Sequence, residues 1–186
     1  MPAMRPPVCD FGWEAPDFSL PSTEGETVSL GDVAGENGTL IMFICNHCPF
    51  VVSVRDRLAK EALALRDIGI GVAAICSNDA RSYPDDSFPN MIEFARDSGF
   101  SFPYLHDEDQ SAARAYAAEC TPDFFGFNSK LQLQYRGRLD SAGRNAPTPD
   151  MSRDLFDAMK LIADTGEGPR DQVPSMGCSI KWKAAA

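Results

Sequence analysis

Apolar positions along the chain change period several times, and each change predicts an element. Residues 1–14 hold three prolines and show no period. Residues 17–20 alternate loosely, a turn-rich stretch follows over 21–25, and residues 27–30 alternate again, which predicts a hairpin. After Asn37 and Gly38, residues 40–44 form an uninterrupted apolar run, the pattern of a central strand covered on both faces. From Pro49 the period becomes helical. Val51, Val54, Leu58, Ala62, Leu65 and Ile68 fall on one face, with charged residues between them. Gly69 predicts the end of this long helix, and residues 70–76 predict a second buried strand.

In the second half, residues 84–89 read as a loop and 91–98 as a short amphipathic helix stopped by Gly99. Residues 102–105 predict a brief extended piece, and the alanine-rich 110–119 a helix. Pro122 interrupts. Residues 124–128 and 131–136 then alternate as a hairpin around 128–130, and 151–162 predict a last amphipathic helix. The tail from Gly166 has no clear period. Strand, helix, strand, helix, hairpin and helix describe an α/β layer with mixed pairing, because parallel strands need crossover helices and the hairpin adds an antiparallel edge.

At 186 residues and 44% hydrophobic content, the chain can support one generous domain with a real core. Its formal net charge of -10 disfavours nucleic acid and anionic membrane as partners, since a phosphate surface would be repelled. The longest apolar run, residues 40–45, falls far short of the ~20 residues of a spanning helix. Residues 1–13 lack the apolar region of a secretory signal, so a cytoplasmic location is expected. Six cysteines are too few for a disulfide scaffold; in a reducing compartment they are apolar fillers, metal ligands or redox thiols.

Cys45-Asn46-His47-Cys48-Pro49 sits where the first buried strand ends and the long helix starts. A thiolate there is stabilised by the helix dipole and by N–H groups not used within the helix. Pro49 suits the first turn, where its missing N–H has no helical acceptor to lose. Two cysteines flanking two residues can close and open a small disulfide ring, and a protonated His47 would lower a neighbouring thiol pKa further. A CxxC is also half of a zinc site, which His47, Cys120 or Cys178 would have to complete.

Thr121-Pro122 is the second landmark. The stretch from Cys120 to Gly137 resembles the T-P segment of thioredoxin-fold proteins, in which the proline is cis, lies against the CxxC, and lets the preceding residue offer backbone bonds to a bound peptide. The segments APDFSL, TVSL, CNHCPFV, FPYLHDEDQSAARAY, CTPDFFGF, YRGRLD and GCSIKWK together resemble a peroxiredoxin-like branch of the AhpC/TSA superfamily that keeps a thioredoxin-style CxxC. That resemblance implies a thioredoxin-like fold, with a mixed central sheet flanked by helices, a peroxiredoxin-type N-terminal hairpin and a C-terminal extension. It divides the chain into a lead-in (1–13), an AhpC/TSA domain (14–163) and a tail (164–186).

The resemblance also implies thiol–disulfide exchange through catalytic Cys45 and Cys48, supported by Asn46, His47, Pro49, Thr121 and Pro122. Cys45, exposed at the turn, would attack and Cys48 resolve. In a thiol peroxidase reading the roles reverse, although the peroxiredoxin Thr and Pro positions hold Cys45 and Ile41. The apolar strand over 40–44 carries no buried carboxylate to shuttle a proton. A copper or zinc carrier using Cys45, His47 and Cys48 is the third reading.

No cofactor is expected, and no resident metal in the enzyme readings. The expected partners are a protein or small-molecule disulfide, or a peroxide, and a reducing thiol system. Cys120 and Cys178 are possible extra thiols, with simple packing of Ile180 and Trp182 favoured for the tail. Cys76 reads as core, Cys9 as a free thiol in a loose segment, and His106 as a solvated loop residue. The acids at 107–109 read as a helix cap.

Overall fold

A computed structural model describes residues 3–7 and 9–184. A short strand, β1 (Ala3–Met4), precedes the hairpin strands β2 (Ser19–Pro21) and β3 (Thr27–Ser29) and the single helical turn α1 (Leu30–Val33). Ser29 and Asp32 close a capping box at the start of α1, each side chain satisfying the other's backbone N–H. The apolar run forms β4 (Gly38–Phe43), followed by α2 (Pro49–Val52), α3 (Arg55–Asp67) and β5 (Ile70–Cys76). Next come α4 (Phe88–Asp97), β6 (Tyr104–His106), α5 (Ser111–Ala115) and β7 (Cys120–Thr121). The chain ends with β8 (Asp123–Phe127), β9 (Leu133–Tyr135), α6 (Asp154–Thr165) and β10 (Gly177–Ser179).

The central sheet has the order β6-β5-β4-β8-β9. β4, β5 and β6 run parallel, and β8 and β9 add the antiparallel edge read from the sequence. β4 is apolar from Leu40 onward because both its faces are covered. Leu40 and Met42 pack with Leu58, Leu65, Leu155 and Ile162 from α3 and α6. Ile41 and Phe43 pack on the other face with Phe18, Val28, Ala113 and Tyr116. No helix among the described residues is long and apolar enough to cross a membrane.

Several boundaries differ from the sequence reading. The long helix from Pro49 is broken at Ser53 and Val54, where Val51, Val52 and Val54 crowd β-branched side chains into one turn. α4 begins earlier, at Phe88, and takes Pro89 into a first turn that needs no donor there. α5 stops at Ala115, and Ala117 turns to a φ of 48°. Asp107 is the anchor of that helix: its buried carboxylate accepts from the Ala112 and Ala113 N–H groups at 3.1 and 2.9 Å, the cap expected of these acids. His106 is not a solvated loop residue. It ends β6 half-buried, with its ring stacked on Phe88 at 5.4 Å.

The tail, read as aperiodic, contains a strand of only three residues, too short to show a period. β10 lies between β1 and β7, pairing Cys178 with Ala3 on one side and with Thr121 on the other. The two ends of the chain are thus joined to each other and to the Thr-Pro loop. Ile180 is buried as expected, whereas Trp182 stays exposed with the Arg114 guanidinium 4.7 Å above its ring.

Candidate functional site

Beyond β4 the chain passes through Ile44 into the CxxC, at the C-terminal end of the parallel strands. Cys45 and Cys48 are both buried, at 1% and 0% exposure, which corrects the expectation that Cys45 is exposed at the turn. The Cys45 Sγ lies 3.3 Å from the Thr121 hydroxyl, and the Cys48 Sγ lies 3.1 Å from the Thr121 carbonyl oxygen. The Thr121-Pro122 bond is cis. β8 starts at once after this loop and is held by a buried pair: Arg136 Nη2 donates to Asp123 Oδ2 at 2.9 Å, with the guanidinium 4.4 Å above Phe125.

The two thiols do not share one fate. The neighbouring Cys48 sulfur pushes Cys45 well above the ordinary thiol range; burial and the charge of Asp86 push it further. The Cys45 thiol in turn lowers Cys48 to about 4 despite burial, assisted by the neighbouring Cys178 and Thr121. The Thr121 carbonyl is an acceptor and favours the protonated Cys48. The neighbours of Cys48 and the Asp86 charge on the Cys45 side both favour the anion on Cys48.

The helix start contributes less than the sequence suggested. Cys48 occupies the N-cap position of α2, but its side chain takes no N–H from the helix, which breaks after four residues. Neighbouring side chains and the tail supply the donors instead.

Asn46 and His47 are tied to a residue the sequence reading passed over. Asp86, fully buried, accepts from the Asn46 N–H at 2.8 Å and from Asn78 Nδ2 at 2.7 Å, and its Oδ2 lies 2.7 Å from His47 Nδ1. Burial raises Asp86, but His47, Asn78 and the Asn46 N–H outweigh it and hold it below its usual range. Asp86 in turn raises His47, whose ring stacks flat on Tyr83 at 5.6 Å. The Asn46 side chain donates to the Asp85 carbonyl and accepts from the Tyr104 hydroxyl at 3.0 Å. A buried carboxylate does stand beside the thiols, contributed by the short 3₁₀ turn Pro84–Asp86 and not by β4. Its sequence context, two aspartates after a proline, looks like any surface turn.

A sulfur of Cys45, a nitrogen of His47 and a carboxylate oxygen of Asp86 lie within 4.8 Å of one another, donor types that zinc accepts. Cys48, expected in such a set, is not part of it. Cys178 is brought beside the pair: β10 sets it directly opposite Thr121, whose carbonyl accepts from the Cys48 thiol. Cys120 points away, its thiol 3.6 Å from the Pro122 carbonyl and its pKa raised by burial. Cys76 is core, held at about 12 by burial, and Cys9 is half-buried at about 11. Beside Pro122 opens a cavity of about 350 Å³ with an apolar wall of Phe50, Phe124 and Met176 and the side chains of Arg5, Arg138 and Arg144.

Fold and site together define a peroxiredoxin-like protein of the thioredoxin fold. The model of the AhpC/TSA family matches residues 11–137, and the chain belongs to that family. An uncharacterised conserved protein from Geobacillus kaustophilus has a crystal structure similar over 100% of this chain and 99% of its own, with 44% identity and a TM-score of 0.93. The provisionally named peroxiredoxin bcp of Coxiella burnetii (strain RSA 493 / Nine Mile phase I) is 25% identical over 124 residues, 63% of this chain and 72% of that protein. The thioredoxin domain of a thiol-disulfide oxidoreductase from Bacteroides vulgatus shares the fold at 14% identity, with a TM-score of 0.63 over 82% of this chain and 97% of that one. Thiol or peroxide substrates and a reductant go with this family.

Proposed function

We propose that the protein is a thiol–disulfide oxidoreductase in which Cys45 and Cys48 cycle between dithiol and disulfide. The observation that carries this reading is the placing of both sulfurs against Thr121, Cys45 3.3 Å from its hydroxyl and Cys48 3.1 Å from its carbonyl oxygen. The electrostatics favour Cys48 as the attacking thiolate, the reverse of the assignment by thioredoxin resemblance. Cys48 attacks one sulfur of a disulfide, the other leaves as a thiolate, and a mixed disulfide forms. Cys45 then loses its proton, with the Asp86–His47 pair as the neighbouring acceptor, and displaces the second substrate sulfur from Cys48. Another thiol system returns the electrons. The burial of both sulfurs suits a small disulfide better than a protein surface.

A second reading, thiol peroxidase, is favoured by the anion on Cys48, because a peroxide is small enough to reach a buried sulfur. Disulfide reduction and peroxide turnover, assayed side by side with Cys45→Ser and Cys48→Ser, separate the two. In the first reading Cys45→Ser traps a mixed disulfide on Cys48 and stops. If the variant lacking both thiols still reduces disulfides, the pair is not the site. If Cys45→Ser consumes one equivalent of peroxide and traps no disulfide, the peroxidase reading takes over.

A further inference from the structure

Three unlike donors meet at the CxxC turn. The Cys45 sulfur, a His47 ring nitrogen and an Asp86 carboxylate oxygen lie within 4.8 Å of one another, and Cys45 and Asp86 are buried. Both His47 ring nitrogens are shut off from solvent, and neither has a hydrogen-bond partner among the described residues. Nδ1 comes within 2.7 Å of Asp86 Oδ2, yet out of line for an N–H···O bond. Buried polar atoms left unpaired call for an explanation, and an ion shared by these donors supplies one. The donors are also held from behind. Asp86 Oδ1 accepts from the Asn46 N–H and Oδ2 from Asn78, while the His47 ring is stacked on Tyr83. The Thr121 hydroxyl can donate to the Cys45 sulfur once that sulfur is a thiolate. Outer partners of this kind orient the ligands of metal sites.

We propose that the reduced protein binds one zinc ion through Cys45, His47 and Asp86. Sulfur, imidazole and carboxylate together match zinc, whereas calcium and magnesium take oxygen and copper(I) prefers sulfur. A thiolate and a carboxylate cancel the charge of the divalent ion, so with a neutral His47 no net charge is buried. Cys45 gives its proton to solvent as the ion binds, and nothing is oxidised or reduced. Three protein ligands leave the fourth tetrahedral position to water. Cys48 stays outside the set, its thiol donating to the Thr121 carbonyl. One consequence rests on the reading that Cys45 and Cys48 form a disulfide: ion and disulfide then exclude each other. Bound zinc holds Cys45 reduced, and the oxidised pair has no thiolate to offer.

The test is equilibrium dialysis of the full chain, stripped with chelator, against zinc, with bound metal measured by elemental mass spectrometry. Reduced wild type and Cys48→Ser are expected to hold one equivalent. Cys45→Ser, His47→Phe and Asp86→Asn should each weaken binding by more than about a hundredfold, beyond the loss that an outer partner causes. Cobalt(II) in place of zinc gives a readout on wild type that needs no variant to fold: a tetrahedral spectrum with the charge-transfer intensity of one thiolate. Reduced wild type without bound metal, a spectrum of two thiolates, or full binding by His47→Phe or Asp86→Asn overturns the site. Diamide removes two electrons and two protons from the metal-free pair. The product, with its Cys45–Cys48 link verified by peptide mass mapping, should bind no zinc; zinc retained there overturns the mutual exclusion. If metal-free wild type forms no such link, the oxidoreductase reading fails while the reduced protein still decides the zinc site.

Discussion

His47 Nδ1 lies 2.7 Å from Asp86 Oδ2, and Asp86 has no exposed surface. A buried carboxylate persists as an anion only when cations or donors surround it, and here His47, Asn78 and the Asn46 N–H do so. The same carboxylate adds to what Cys48 and burial do in raising Cys45. One residue outside the CxxC therefore holds the intervening dipeptide in place and disfavours charge on Cys45.

The pH dependence of this pair has a definite sign. His47 is raised above 6.5, so its contribution to stability is complete below that value and fades as pH rises through the raised pKa. Asp86 is lowered below 3.8, so its contribution is complete above that value and fades as pH falls through the lowered pKa. Asp86→Asn should cost about 1.5–3 kcal/mol through lost charged hydrogen bonds. Urea unfolding at several pH values should show the largest difference between wild type and variant in the mildly acidic range between those two values. A difference that grows toward alkaline pH would contradict the pairing.

The reduced protein should carry one thiolate of very low pKa. Ultraviolet thiolate absorbance is expected to titrate near pH 4 in wild type and to lose that step in Cys48→Ser. If the acidic step persists in Cys48→Ser and vanishes in Cys45→Ser, the anion belongs to the other sulfur.

Arg136→Met leaves Asp123, wholly buried, without its counter-charge. Burial already raises the Asp123 pKa against the pull of Arg136. The expected loss is about 3–5 kcal/mol, and replacing Asp123 by an apolar residue as well should recover much of it. Chemical denaturation of the single and double variants measures both.

Tyr104→Phe removes the hydroxyl that donates to Asn46. The expected cost is about 0.5–1.5 kcal/mol. Amide hydrogen exchange should rise at Asn46 and His47 and stay unchanged in β8, which Tyr104 does not hold.

Much of the fold was legible because β4 and β5 are covered on both faces and write their burial as unbroken apolar runs. The hairpin of β8 and β9 alternated visibly around Asn128, whose side chain accepts from the backbone of Lys130 and Gln132 to fix the turn. Helix ends were less legible. The stop after Ala115 depends on how residues 116–119 must turn to deliver Cys120 to its strand, which no local period records.

The sequence alone determined the strand, the CxxC, the helical stretch after it and the Thr-Pro landmark, since each is a local pattern of residue type and spacing. Tertiary structure alone decided what surrounds the two sulfurs. Asp86 comes from an ordinary-looking turn and Cys178 from a three-residue strand, both distant along the chain. Burial and charge act through space, so which of Cys45 and Cys48 is favoured as the anion depends on where those segments meet.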